Sequence, residues 1–416
     1  MISVRNHLPP SSGNKWLLFL GIAMLAAACS PKVRPVVAPP KTETEKPGTK
    51  PEPPKPKPLP ARQSSIALLL PFGLDHLNAG ASYTDAGLKQ ANIALDYYQG
   101  FQLALDSLTS YGYNYKLRVF DTQASANQAR QMAFNANIWA SDLIVGPIFP
   151  DDMKAFAQPL SGPRKPIVSP LSPAAPATIN NQNLVTIIPP LAEHAVTAAR
   201  YIQKRMQPAK VFILKSGYSE ENDYIIPFKN TLDSLSKGHI KVIQTVVVRG
   251  QLSALIPQLS TASPNIFVMP STREAFITVT MRSLDSLAKH YPVTLFGHPS
   301  WEKYSFLHSD ILQRLHTHIT SADKVDYKAP ATITFITQYR KKYHTPASEY
   351  AIKGFDEGMY FGKLLGENNG DTRSMTRTDY NGIHNNFHLV KRPGTGYVNT
   401  HVNVFEYGYY ELRKVE

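Results

Sequence analysis

The stretch Ser65-Ile-Ala-Leu-Leu-Leu-Pro71, closed by Gly73, decides how the rest of the chain is read. An unbroken apolar run of strand length, ended by proline and glycine, has no polar face to show to water. It belongs in a sheet covered on both sides, as parallel sheets flanked by helices are. Directly after it, residues 97–108 place Tyr98, Phe101, Leu105 and Leu108 at helical spacing. The alternation continues with strands at 116–121, 143–145 and 166–169 and helices at 126–139 and 151–158.

At Pro189-Pro190 the rhythm starts afresh: helix 192–206, strand 211–214, helix 223–235, strand 240–248, helix 252–259, strand 266–269, helix 273–290 and strand 293–296. Repeated strand-helix units require parallel sheets with right-handed crossovers. The fold class is therefore α/β, with two Rossmann-like lobes built on parallel sheets and joined by a hinge. Helices at 332–343 and 349–365 precede an aromatic, turn-rich tail, 380–410, whose near-alternating Val402-Asn-Val-Phe-Glu-Tyr predicts two or three antiparallel strands added to a sheet edge. The expected division is lobe 1 at about 63–190 and 321–379, and lobe 2 at about 191–320 and 380–416.

Ahead of the α/β region, Arg5 and Lys15 precede an apolar run from Trp16 to Ala28, too short for the ~20 residues of a membrane span but suited to a signal peptide. Residues 1–28 are read as that signal. Ala26-Ala27-Ala28 leads into Cys29, the one cysteine of the chain, and resembles the lipobox of bacterial lipoproteins, with Leu25 one place earlier than usual. The resemblance implies a lipidated Cys29 as the mature N-terminus, and Ser30 after it resembles the outer-membrane sorting pattern. Residues 29–62 carry eleven prolines and eight Lys/Arg against three Glu. Such a segment buries no core and forms an extended tether. The expected location is exported, lipid-anchored, on the periplasmic face of the outer membrane.

Charge excludes one class of partner. Of the formal +13, residues 1–28 hold +2 and the tether +5, which leaves +6 for residues 63–416, with no basic stripe and no interleaved aromatics; nucleic acid is not an expected partner.

Six stretches in order resemble the type I periplasmic-binding fold of branched-chain amino-acid-binding proteins: Ile66-Ala-Leu-Leu-Leu-Pro, Tyr98-Gln-Gly-Phe-Gln-Leu-Ala-Leu-Asp-Ser, Phe120-Asp-Thr, Leu143-Ile-Val-Gly-Pro-Ile, Pro166-Ile-Val-Ser-Pro-Leu-Ser and Tyr350-Ala-Ile-Lys-Gly-Phe-Asp. The similarity is closest to an envelope-lipoprotein branch related to LysM-associated and penicillin-binding-protein-activator-like domains, although no LysM repeat is present. The resemblance implies a ligand cleft between the lobes, formed by loops at strand C-termini, where open α/β sheets bind ligands on general grounds. Candidate ligand residues are Phe72 and Gly73, Gly146 and Pro147, Ser169 and Ser172 in lobe 1, and Tyr218, Ser271 and Trp301 in lobe 2; Trp301 has an alternative reading as a core anchor. Where amino-acid binders of this family place hydroxyl residues for the ligand carboxylate, this chain has Ile148-Phe149-Pro150-Asp151. That loop disfavours a free amino acid, since Pro150 has no N–H to give.

Enzymatic motifs are missing: there is no GxxxxGK[ST], HExxH, GxSxG or GxGxxG. Ser234-Leu-Ser-Lys237 and Ser286-Leu-Ala-Lys289 match SxxK without the companion motifs of penicillin-recognising enzymes. Nine of thirteen histidines follow residue 289 with no cysteine among them, so no metal site and no cofactor is expected. The expectation is a non-catalytic solute-binding protein. Its ligand would be a sugar, a muropeptide or another small molecule, handed to a transporter or sensor. The alternative is a regulatory scaffold that presents its lobes to a cell-wall enzyme.

Overall fold

The alternation seen in the first strand governs the whole core. In β1 (Gln63–Leu70), Ile66, Leu68 and Leu70 point to one face of the sheet and Ala67 and Leu69 to the other, and every one of them is buried. The computed structural model describes residues 62–77, 83–159, 165–174, 176–392 and 396–416. The expected signal peptide, Cys29 and the tether as far as residue 61 lie outside the described residues.

From β1 the chain runs through α1 (Asp85–Ser110), β2 (Asn114–Asp121), α2 (Ala126–Met132), α3 (Ala136–Trp139), β3 (Leu143–Val145), α4 (Pro150–Ala157), β4 (Ile167–Ser169), α5 (Pro176–Ile179) and β5 (Leu184–Thr186). Residues 187–190 carry it into lobe 2. There follow α6 (Leu191–Tyr201), β6 (Lys210–Lys215), α7 (Asn222–Ser236), β7 (Lys241–Val246), β8 (Asn265–Met269), α8 (Glu274–Leu287), β9 (Val293–Gly297), α9 (Ser309–Arg314) and β10 (His318–Ser321). Residues 322–329 return the chain to α10 (Pro330–Tyr343) and α11 (Glu349–Glu367), which pack on α1. Gly100 and Gly354 let α1 and α11 touch backbone to backbone: a Cβ on Gly354 would stand 2.2 Å from the Tyr97 carbonyl oxygen.

The tail forms β11 (Tyr380–Asn381), β12 (Asn386–Phe387), β13 (Leu389–Lys391), β14 (Tyr397–Asn399), β15 (Asn403–Gly408) and β16 (Glu411–Lys414). Each lobe holds a seven-stranded sheet, in the orders β13-β14-β5-β4-β3-β1-β2 and β16-β15-β10-β9-β8-β6-β7. These are the two parallel-dominated sheets that the α/β reading required.

Strand pairing corrects the division of the tail. β14 pairs with β5 and β13 with β14, so these strands complete lobe 1, and the chain enters lobe 2 only at residues 400–402, not at 380. The two strands concerned are three residues each, too short for their pattern to say which sheet they join. The expected helix at 252–259 is a short 3-10 turn, Ser253–Gln258, since Pro257 removes an N–H that a longer helix needs. Three crossings among the described residues, 187–190, 322–329 and 400–402, therefore join the lobes.

Candidate functional site

A cavity of about 550 Å³ lies where the lobes meet, with Pro173 and Glu349 from lobe 1, His194, His298 and Thr320 from lobe 2, and Asp323 from the second crossing. His298 follows the last residue of β9 and starts a 3-10 turn, Pro299–Lys303, in which its Nδ1 accepts the Ser300 N–H at 3.1 Å. With Nδ1 used as an acceptor, the neutral ring carries its proton on Nε2, which has no partner among the described residues. His194 sits on the first turns of α6 with Nδ1 3.1 Å from the Thr320 hydroxyl. Burial pushes both imidazoles down to about 4; for His298 the neighbouring His194 adds to the shift, and for His194 Asp323 opposes it. Both rings are uncharged at neutral pH. A smaller cavity of about 210 Å³, lined by Ser216, Ser271 and Arg273, shares Leu191 and His298 with the first. His298 thus stands between two recesses with a free N–H.

Asp323, on the cavity lining, is one end of a charged strap. Asp323 meets Lys353 Nζ at 3.0 Å and His384 Nε2 at 3.2 Å, while His384 Nδ1 lies 3.3 Å from Asp356. Asp356 is fully buried on α11 and accepts the backbone N–H groups of Ile383 and His384, each at 2.9 Å. Burial alone would push the His384 imidazole down; the two carboxylates outweigh it and raise it above the ordinary value, favouring the protonated ring. The Asp323 carboxyl is held well below the usual range by His384 and Lys353 against the opposing effect of burial. A hinge segment is in this way pinned to lobe 1 by ion pairs on two sides.

The residues singled out from the sequence are mostly engaged elsewhere. Phe72 is half-buried and meets Tyr98 edge-on at 6.2 Å, and the Gly73 N–H donates to Asp121 at 3.1 Å. Gly146 and Pro147 are buried, and a Cβ on Gly146 would stand 2.2 Å from the Leu69 carbonyl oxygen, so this loop is set by close packing. The Ser169 hydroxyl donates to the Ser172 carbonyl, and the Ser172 hydroxyl accepts the Ala174 N–H. Tyr218 is exposed with Arg273 4.2 Å from its ring centre. Ser271 lines the smaller cavity, though its hydroxyl accepts the Arg273 N–H.

Trp301 departs furthest from a stacking role. It is 1% exposed, its indole packs over Gly297 in the lobe 2 core, and its Nε1 donates to the Ser271 carbonyl at 2.9 Å. No face of the ring is left for a ligand. His298 and Trp301 share one turn, and the imidazole rather than the indole lines the cavity. Sequence gave no signal for His194, Thr320 or Asp323, which topology alone brings together.

Among the described residues no three His, Cys, Asp or Glu converge as metal ligands. The C-terminal histidines have other partners: His316 lies 3.4 Å from Glu406, His318 stacks on Phe296 at 4.8 Å, and His388 pairs with Asp379 at 2.8 Å.

A family model described as "Periplasmic binding protein" matches residues 77–395. None of the curated proteins matches. Among solved structures, an ABC transporter substrate-binding protein from Desulfitobacterium hafniense in complex with Leu superposes with a TM-score of 0.51 at 16% identity, over 85% of this chain and 100% of that one. A putative branched-chain amino acid ABC transporter from Rhodospirillum rubrum gives 0.57 at 13% identity over 85% and 100% of the two chains. An ABC-type branched-chain amino acid transporter from Rhodopseudomonas palustris gives 0.56 at 14% over 85% and 95%. At such identities the likeness is one of fold.

Proposed function

Because the chain belongs to the periplasmic binding protein family, we propose that it closes its two lobes on a small, uncharged polar solute, from a lipid anchor at Cys29 in the outer membrane. The observation that carries the ligand class is the pair of neutral imidazoles, His194 and His298, lining a cavity with contributions from both lobes. A volume of about 550 Å³ falls within the ~300–1,000 Å³ of small-molecule sites. The His298 Nε2–H offers a donor to a hydroxyl or amide oxygen, as a sugar or muropeptide presents. A free amino acid is poorly served by lobe 1, where Ile148 is buried in the core and Pro150 opens α4 without an N–H. The three crossings supply the few residues about which closure turns.

Native mass spectrometry of protein purified without denaturation should show a retained neutral small molecule. A thermal-shift panel of sugars, muropeptides and the twenty amino acids then ranks the ligand class. A true ligand at a hundredfold excess over Kd stabilises by ~2.7 kcal/mol. A clear shift with a free amino acid overturns the ligand class. Silence from every compound favours the scaffold role, in which the lobes present a surface to a cell-wall enzyme. For the anchor, Cys29→Ser should abolish incorporation of labelled fatty acid, and equal labelling of the variant would exclude lipidation there.

A further inference from the structure

The hairpin of β15 and β16 is joined by only two residues, Tyr409 and Tyr410, because Gly408 pairs directly with Glu411. Two-residue connections of this kind need positive φ at both positions, and Asn-Gly is the pair that adopts it most easily. Here φ is 53° at Tyr409 and 64° at Tyr410. A bulky side chain in left-handed backbone is disfavoured, and burial does not compensate, since the residues are 76% and 73% exposed. Two aromatic rings held in water on an unfavourable turn are an outlier that points outward, to something the rings meet.

The surroundings define what that is. The Arg413 guanidinium lies over the Tyr409 ring, 4.1 Å from its centre, while the residue stays largely exposed. The Tyr410 N–H donates to Gln313 Oε1 at 3.1 Å, which holds the turn against lobe 2. Beside it runs a groove of about 240 Å³, lined by Gln313, His316, Glu406 and Arg413 together with Tyr407 and Tyr409. We propose that this tip is a second binding site, which stacks a pyranose ring of a glycan chain on Tyr409. The flat C–H face of a pyranose lies on an aromatic plane, and its hydroxyls exchange hydrogen bonds with an amide, an imidazole, a carboxylate and a guanidinium. A protein partner anchors its hot-spot residues in well-packed, desolvated pockets, and no aliphatic side chain lines this groove. The site shares no lining residue with the interlobe cavity.

The test is the full chain and its Tyr409→Asn/Tyr410→Gly variant on an array of pyranose oligosaccharides, with melting temperatures measured in parallel. The wild type should bind at least one oligosaccharide. The variant should lose that binding by tenfold or more while melting about 2–4 °C higher, as the turn is relieved, and should keep any solute found in the interlobe cavity. A wild type that binds no glycan, a variant that binds as well as the wild type, or a variant that melts lower would each overturn the proposal.

Discussion

Three similarly buried histidines of the two lobes have their protonation equilibria shifted in opposite directions. His384 on the lobe 1 side is 4% exposed, and His194 and His298 in lobe 2 are 8% and 9% exposed. Desolvation acts on all three in the same direction, towards the neutral ring. What separates them is company: His384 lies between Asp323 and Asp356, whereas His298 faces a backbone N–H and His194 a hydroxyl. His384, held towards its protonated form, completes the strap that pins the hinge. The neutral rings leave hydrogen-bonding capacity towards the cavity. Burial thus fixes neither role by itself, and the nearest carboxylate decides between structure and recognition.

The largest expected effect comes from removing a carboxylate that raises His384. Asp356→Ala strips the acceptor from three backbone N–H groups and the partner from one side of the imidazole. Breaking such a buried pair costs ~3–5 kcal/mol, measurable by chemical denaturation. A loss below about 1 kcal/mol would mean that the strap adds little to the fold.

The acid limb of the stability curve sharpens the comparison. His298 has a folded pKa of about 4 against an ordinary 6.5, so the unfolded chain binds more protons between those values. Its contribution is complete above pH 6.5 and is lost as pH falls towards 4, with a slope of up to about 1.4 kcal/mol per unit. Relative to His298→Gln, the wild type should lose stability over that window. His384 acts in reverse: raised in the folded state, it contributes fully below pH 6.5 and loses its contribution as pH rises through its folded value. Relative to His384→Gln, the wild type should therefore weaken on the alkaline side. Parallel curves for wild type and either variant would abolish the distinction between the rings.

Ligand affinity is the next smaller effect. Once a retained solute is identified, His298→Ala should weaken it by about 1–3 kcal/mol, the cost of an unpaired polar group, with calorimetry as the readout. Unchanged affinity would move recognition away from this imidazole.

The fold was legible because its signal is local. Ile66 to Leu70 can be satisfied only by a sheet covered on both faces, and each later strand-helix unit repeats that demand. The tail was legible as strands but not as edges, because β13 and β14, at three residues each, carry no pattern that says which sheet they join. The site was the least legible part. Asp323 meets His384 across 61 positions and His194 meets Thr320 across 126. No spacing rule links them. Trp301 was open between a stacking platform and a core anchor, and the room that Gly297 makes beneath its ring favours the anchor.

The smallest expected effect tests the lobe 1 side directly. Ser169 and Ser172 lie at the C-terminal end of β4, where the fold places ligand donors, yet their hydroxyls are turned into their own loop. Both residues are almost fully buried, at 0% and 2% exposed. Ser172→Ala removes a single neutral acceptor from the Ala174 N–H, which should cost only ~0.5–1.5 kcal/mol of stability. Because that hydroxyl serves the turn and not the cavity, solute affinity should stay within about twofold of wild type, in contrast to His298→Ala. If Ser172→Ala instead weakened the solute as much as His298→Ala does, the loop would have to open and redirect its hydroxyl to the ligand on closure. Recognition would then be shared by the two lobes, and the division between a pinned lobe 1 and a receptive lobe 2 would fall.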